Sequence, residues 1–204
     1  MDADAWDERY RERKLVWSAE PNEFVARETA DLPPGRALDL AAGEGRNAIW
    51  LAGRGWTVEA VEFSPVAIDK GRRLAEHAGV EVTWTLADLT EAPDLDPADL
   101  VLLVYLHLPQ PHADQALRHA AGLVRPGGTL LVVGHARRNL TDGYGGPPDP
   151  ALLAQPEEVA AVLTDTGLEV ERAEEVIRAV DTDDGPRNAI DLLVRAECTC
   201  VDDG

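Results

Sequence analysis

The chain has 204 residues, with 38 Asp and Glu against 19 Lys and Arg and a formal charge of −19, a balance that repels nucleic acid and anionic membrane surfaces and favours a small-molecule partner. Its hydrophobic content of 45% is enough for one sizeable core, so one domain is expected. The opening MDADAWDERY lacks an apolar leader core, no apolar run is long enough to span a bilayer, and Cys198 and Cys200 are too close to bridge, so a cytoplasmic protein without disulfides is expected.

In chain order, residues 1–32 read as an N-terminal helical extension bearing Trp6, Tyr10, Trp17 and Phe24, with Asn22 capping its second helix. Apolar runs then predict strands over 36–41, 57–62, 80–86, 98–105 and 128–134, several of them continuous runs of Val and Leu as strands covered on both faces require. Ser64 followed by Pro65 starts a helix that reaches about residue 77, and Gln155-Pro156-Glu157-Glu158 opens another that ends before Gly167. Residues 135–150, HARRNLTDGYGGPPDP, read as a Gly/Pro-rich loop too irregular for a helix. GLEVERAEEVIRAV and NAIDLLVRAE, joined by DTDDGPR, read as an antiparallel hairpin. The expected fold is a single three-layer α/β domain with a Rossmann-like, doubly wound, seven-stranded sheet, mostly parallel, closed by an antiparallel C-terminal edge hairpin. The expected boundaries are a lid segment over 1–32, the domain over 33–198 and a tail over 199–204.

The stretch LDLAAGEGRNAIWL runs from a strand into a G-x-G-x-x-A turn (Gly43, Gly45, Ala48) and then a helix. Such a turn either brings backbone close to a nucleotide-type ligand at the strand's carboxyl end or simply reverses the chain tightly. A pyrophosphate at a helix N-terminus wants neutral or positive surroundings, whereas Asp39 precedes this turn and Glu44 lies within it. Acids there suit a ligand with an ammonium and a sulfonium, as S-adenosylmethionine has. Glu62 ends the second strand, where a carboxylate can accept both ribose hydroxyls, and Asp88 follows the third strand, within reach of an adenine amino group.

These segments together resemble class I S-adenosylmethionine-dependent methyltransferases: DLAAGEGR is similar to their first motif, AVEFS to their second, ADL to their third, and RPGGTLLVV to the glycine turn and fifth strand. More narrowly, WDERY, the W followed by EPN at 17–22, and GEGRNAIWLAGRGWTVEAVEFSPVAI resemble the tellurite-resistance and thiopurine S-methyltransferases, with Gly45-Arg46-Asn47 the most specific triplet. The resemblance implies S-adenosylmethionine as cofactor, S-adenosylhomocysteine as product, and methyl transfer to a soft nucleophile or small thiol without a metal. It implies cofactor contacts at Asp39, Ala41, Gly43, Gly45, Arg46, Asn47, Glu62, Phe63, Ser64, Asp88, Leu89, Val104 and Tyr105. Where tellurite-resistance members carry a histidine beside arginines, the hairpin here offers Arg178 and Arg187 and no histidine.

A sulfonium methyl is already activated, so holding donor and acceptor in line is the main task. No HExxH, spaced Cys/His cluster or GxSxG occurs. At the ends of the fourth and fifth strands, His107, His135 and Tyr105 are the candidate catalytic groups; the histidines serve as bases or are plain loop residues, since an ionised nucleophile needs no base. Trp6, Tyr10 and Trp17 either close over the site or pack on the sheet, and Tyr144 is a flap tip or a surface turn. Arg137, Arg178 and Arg187 are acceptor-side candidates, Trp50, Trp56 and Trp84 are assigned to packing, and Cys198 and Cys200 to an exposed tail. An NAD-dependent oxidoreductase and a non-catalytic cofactor-binding module are the competing readings.

Overall fold

Five parallel strands, β1 (Arg36–Leu40), β2 (Thr57–Glu62), β3 (Thr83–Leu86), β4 (Ala98–Val104) and β5 (Val124–His135), and an antiparallel pair, β6 (Glu169–Val180) and β7 (Arg187–Glu197), form one sheet in the order β3-β2-β1-β4-β5-β7-β6. The computed structural model describes residues 3–12 and 20–199. The helices are α1 (Ala3–Glu12), α2 (Glu23–Glu28), α3 (Arg46–Ala52), α4 (Pro65–Ala78), α5 (His112–Gly122), α6 (Asn139–Asp142) and α7 (Pro156–Thr164). This is the expected mixed seven-stranded Rossmann-like sheet in a single domain.

The apolar run in β4 shows why the strands lack alternation. Val101 and Leu103 enter a cluster with Leu117 of α5 and Leu163 of α7, while Leu100, Leu102 and Val104 enter another with Phe24 of α2 and Leu51 of α3. Both faces are covered, so both periods of the strand are apolar.

The caps follow the chemistry of their residues. Asn22 Oδ1 accepts the N–H groups of Phe24 and Val25 at 2.9 and 3.2 Å, and Ser64 Oγ accepts that of Ala67 at 3.1 Å. Glu158 reaches back to the Gln155 N–H at 2.9 Å, completing a capping box on α7.

Four expectations change, the first being that the fifth strand starts at Val124 rather than residue 128. The third strand starts at Thr83 rather than residue 80, because Gly79 ends α4 in the left-handed region at φ +69° and the Val80 N–H is still bonded to the Ala75 carbonyl. The 135–150 loop contains the single turn α6, pinned by Asn139, whose Oδ1 accepts the Ile190 N–H at 2.7 Å and whose Nδ2 donates to the Gly145 carbonyl at 2.8 Å; a 3-10 turn follows at Pro150–Leu152. Cys198 is not in an exposed tail: it is buried, and its backbone bonds Gly127 and Gly128 as an extension of the β5–β7 ladder. Cys200 lies outside the described residues.

Candidate cofactor and acceptor site

Strand order reverses between β1 and β4, and both strands end in a non-glycine residue held in the left-handed region, Ala41 at φ +56° and Tyr105 at φ +56°. Backbone of that kind is strained for residues with a Cβ and gathers at functional sites. Above this crevice, where open α/β sheets bind ligands, lies a cavity of about 570 Å³, a size typical of small-molecule sites.

One end of the cavity is walled by Ala41, Gly43, Arg46, Asn47, Val61, Glu62, Phe63, Asp88 and Leu89. Glu62 is buried, its Oε2 accepting the Gly43 N–H at 2.8 Å and its Oε1 the Ser64 N–H at 3.0 Å. Burial raises its pKa, while the donors at Gly43 and Ser64 pull the other way. The carboxylate thus ties the glycine turn to the end of β2 and still faces the cavity. Asp88 also borders the cavity, but its Oδ1 accepts the backbone N–H and hydroxyl of Thr90, both at 2.8 Å.

Three residues expected at the ligand stand behind the wall instead. Asp39 is buried beneath the turn, where its Oδ2 accepts the Ala48 N–H at 3.0 Å; burial raises its pKa to about 7. Gly45, at φ +76°, approaches a side chain rather than a ligand, since a Cβ there would lie 2.3 Å from the Trp84 ring. A Cβ on Gly71 of α4 would lie 2.1 Å from the same ring, so Trp84 is wedged between two glycines. Ser64 caps α4 and donates its hydroxyl to Asp7 of α1. Glu44 is paired with Lys70 at 3.2 Å. The acids that face the cavity are therefore Glu62 and Asp88, and the pair read from the turn itself is internally satisfied.

The other end carries a polar cluster centred on a residue that sequence reasoning missed. Asp191 of β7, opposite His135 in the ladder, is fully buried. Its Oδ2 accepts the Tyr105 hydroxyl at 2.6 Å and the Arg178 Nε–H at 2.7 Å, and its Oδ1 lies 3.0 Å from His135 Nδ1. Arg178 Nε also bonds the Tyr105 oxygen at 3.0 Å, and Asn22 Nδ2 reaches it at 3.4 Å. Burial alone would raise the Asp191 pKa, but His135, Arg178 and Tyr105 together hold it below the carboxylate norm. Tyr105 is held well above its usual value by burial and by that carboxylate. The His107 and His135 rings stack at 5.5 Å with 7° between their planes, and burial followed by the His135 neighbour lowers the His107 pKa to about 4. The sequence signal for Asp191 was present: it is the lone acid within the apolar run AIDLLV.

α1 roofs the cavity with Trp6, Arg9 and Tyr10. It is fastened to α4 by the Asp7–Ser64 bond and by Lys70 Nζ donating to the Tyr10 carbonyl. The Trp6 and Tyr10 rings are 5.6 Å apart, and the Arg9 guanidinium already sits 5.0 Å from the Trp6 centroid. Trp17 lies outside the described residues. The loop after β5 contributes Gly146, Pro147 and Pro148 to the wall, whereas Tyr144 is exposed and off it. Arg178 bonds Asp191 and does not line the cavity, Arg187 is exposed at the start of β7, and Arg137 is held by Glu158 through two bonds of 2.8 Å. Trp50, Trp56 and Trp84 pack in or against the α2/α3-side core. Among the described residues, no group of three or more His, Cys, Asp or Glu side chains could hold a metal ion, and no helix is long and apolar enough to cross a membrane.

Residues 37–128 match the family described as "Methyltransferase domain". Methyltransferase GfsG of Streptomyces halstedii is 31% identical over 111 residues, 52% of this chain and 40% of that protein. The chain spans about half the length of the curated relatives it matches. Among solved structures, TehB from Haemophilus influenzae superposes with a TM-score of 0.71 at 17% identity, covering 96% of this chain and 66% of that one. The N-methyltransferase NodS from Bradyrhizobium japonicum, in complex with S-adenosylhomocysteine, gives 0.71 at 16% identity, covering 97% and 99%. In sequence over residues 37–128 the chain resembles a methyltransferase domain, and over nearly its whole length it shares the fold of TehB and NodS.

Proposed function

We propose that the protein is a cytoplasmic methyltransferase that moves the methyl group of S-adenosylmethionine in line to a soft nucleophile, a thiol by preference, on a small molecule. The observation that carries this reading is one cavity with an acid and a glycine turn at one end and the Tyr105–His135–His107 group at the other. The cofactor would supply a sulfonium-activated methyl group. Glu62, with two acceptor positions beyond those used by Gly43 and Ser64, would hold a ribose diol; the Gly43 backbone and Asn47 would line the amino-acid end and Leu89 the adenine. Residues 1–32 would act as a lid, with Trp6 and Tyr10 excluding water from the reaction.

On the acceptor side, His135 Nδ1 lies 3.0 Å from the buried Asp191 carboxylate and its ring borders the cavity, so His135 would be the group placed to take a proton from a thiol or hydroxyl. His107 stays uncharged at neutral pH and offers a hydrogen-bonding edge rather than a charge. The dinucleotide reading is disfavoured because the Ala48 N–H, a donor that a pyrophosphate would use, is taken by Asp39. The net charge of −19 opposes nucleic-acid acceptors.

The test is S-adenosylhomocysteine release over a set of small thiols of graded acidity, for wild type and His135→Gln. Loss of about 10²- to 10⁴-fold on weakly acidic alkyl thiols, with little loss on thiophenols already ionised, is expected. Equal turnover by both proteins on alkyl thiols would remove the base, and binding of the cofactor with no turnover on any acceptor would favour a binding module.

A further inference from the structure

A second cavity, of about 290 Å³, lies between β4, β5, α5 and α7 and is closed on one side by the Pro150–Leu152 turn. It shares Leu106, His107, Leu108, His135 and Leu152 with the larger cavity, so the stacked imidazoles stand at the junction. We propose that this chamber receives the apolar body of the methyl acceptor, which makes the substrate a neutral amphiphile, an aryl or branched alkyl compound whose nucleophilic atom stops at the histidine pair.

Three observations support an apolar, uncharged occupant. Leu103, Leu117, Val132 and Val159 form the chamber's inner wall. The acid and the arginine on that wall, Glu158 and Arg137, neutralise one another through their paired 2.8 Å bonds, so the wall offers no net charge to an ion. The His107 ring, which borders both cavities at the junction, stays uncharged at neutral pH and so offers no charge to an ion either. A cavity of about 150 Å³ accommodates benzene, so the chamber has room for a substituted ring. An inorganic oxyanion would leave it empty and, among the described residues, would find the wall's one arginine, Arg137, already paired with Glu158. The inference rests on the methyl-transfer reading for what happens at the junction, but the chamber's preference is measurable without turnover.

The experiment is titration of ¹⁵N-labelled protein with thioanisole, the neutral methylated form of an aryl thiol, and separately with tellurite, each with and without saturating S-adenosylhomocysteine. Saturable amide shifts at Ala113, Leu117 and Val159 with thioanisole and none there with tellurite are expected. Ala113→Phe fills the chamber from α5 without touching the larger cavity, and should weaken thioanisole at least fivefold while leaving S-adenosylhomocysteine affinity within twofold. If that variant loses its thermal transition, Ala151→Phe on the exposed turn makes the same test. Shifts confined to the larger cavity, unchanged thioanisole affinity in a folded variant, or tellurite shifts at α5 and α7 would each overturn the proposal. Absence of S-adenosylhomocysteine binding would instead defeat the cofactor reading, with the thioanisole result without cofactor still deciding the chamber.

Discussion

Glu62→Gln separates two roles that one carboxylate plays. In the native protein each oxygen accepts a backbone N–H, from Gly43 at 2.8 Å and from Ser64 at 3.0 Å. A carboxylate has about four acceptor positions, so one on each oxygen remains for a ligand diol. Glutamine keeps the shape, but its NH₂ cannot accept, so whichever way the amide turns, one of the two backbone donors faces another donor. Stranding a buried N–H costs about 1–3 kcal/mol, to be read as a lower urea midpoint. Losing the ionic acceptor should cost the ligand about 1.5–3 kcal/mol, or about 10- to 150-fold in Kd. Calorimetry with S-adenosylhomocysteine should be run at pH 8, because burial raises the Glu62 pKa and a more acidic buffer would protonate the wild type toward the variant. A folded Glu62→Gln protein that binds within twofold of wild type would refute a ligand role for this residue, leaving only its tie between the turn and β2.

Asp39→Asn should alter the pH dependence of stability. Because burial raises the Asp39 pKa from 3.8 to about 7, its contribution is complete below about pH 4 and is lost as pH rises through 7, a change of about 4 kcal/mol. The amide variant keeps an acceptor for the Ala48 N–H, so urea midpoints should shift in its favour between pH 5 and pH 8; a constant gap would contradict the protonation account. Gly71→Ala should destabilise by about 1–3 kcal/mol although alanine is the better helix former, because its Cβ would meet the Trp84 ring; a raised Tm would show that Trp84 has room to move. Asp191→Ala should cost about 3–5 kcal/mol by leaving Arg178 and Tyr105 without their buried partner, and a loss below about 1 kcal/mol in urea titration would show the cluster to be dispensable.

Strand number, parallel order and the closing hairpin were legible because continuous Val/Leu runs, N-caps and Gly-bounded turns are local signals. The lining of the candidate site was legible where a residue's position follows from a strand end, as for Glu62, Tyr105, His107 and His135, all of which border the cavity. It was less so where packing decides. The two turn acids looked like ligand groups because sequence carries no sign of Lys70 or of the Ala48 amide that occupy them. Gly45 looked like an approach point for a ligand, whereas its left-handed φ of +76° and its meeting with Trp84, on a strand two positions away in the sheet, explain it. Asp191 was passed over for a related reason. It lies far along the chain from Tyr105, and antiparallel pairing of β7 with β5 is what sets it beside His135.

The decisive measurement is calorimetric titration of the full chain with S-adenosylhomocysteine, with NADH as the control. The account predicts 1:1 binding of S-adenosylhomocysteine in the micromolar range and none of NADH. Tighter binding of NADH, or no binding of S-adenosylhomocysteine by folded protein, would contradict the assignment of the β1–β4 crevice.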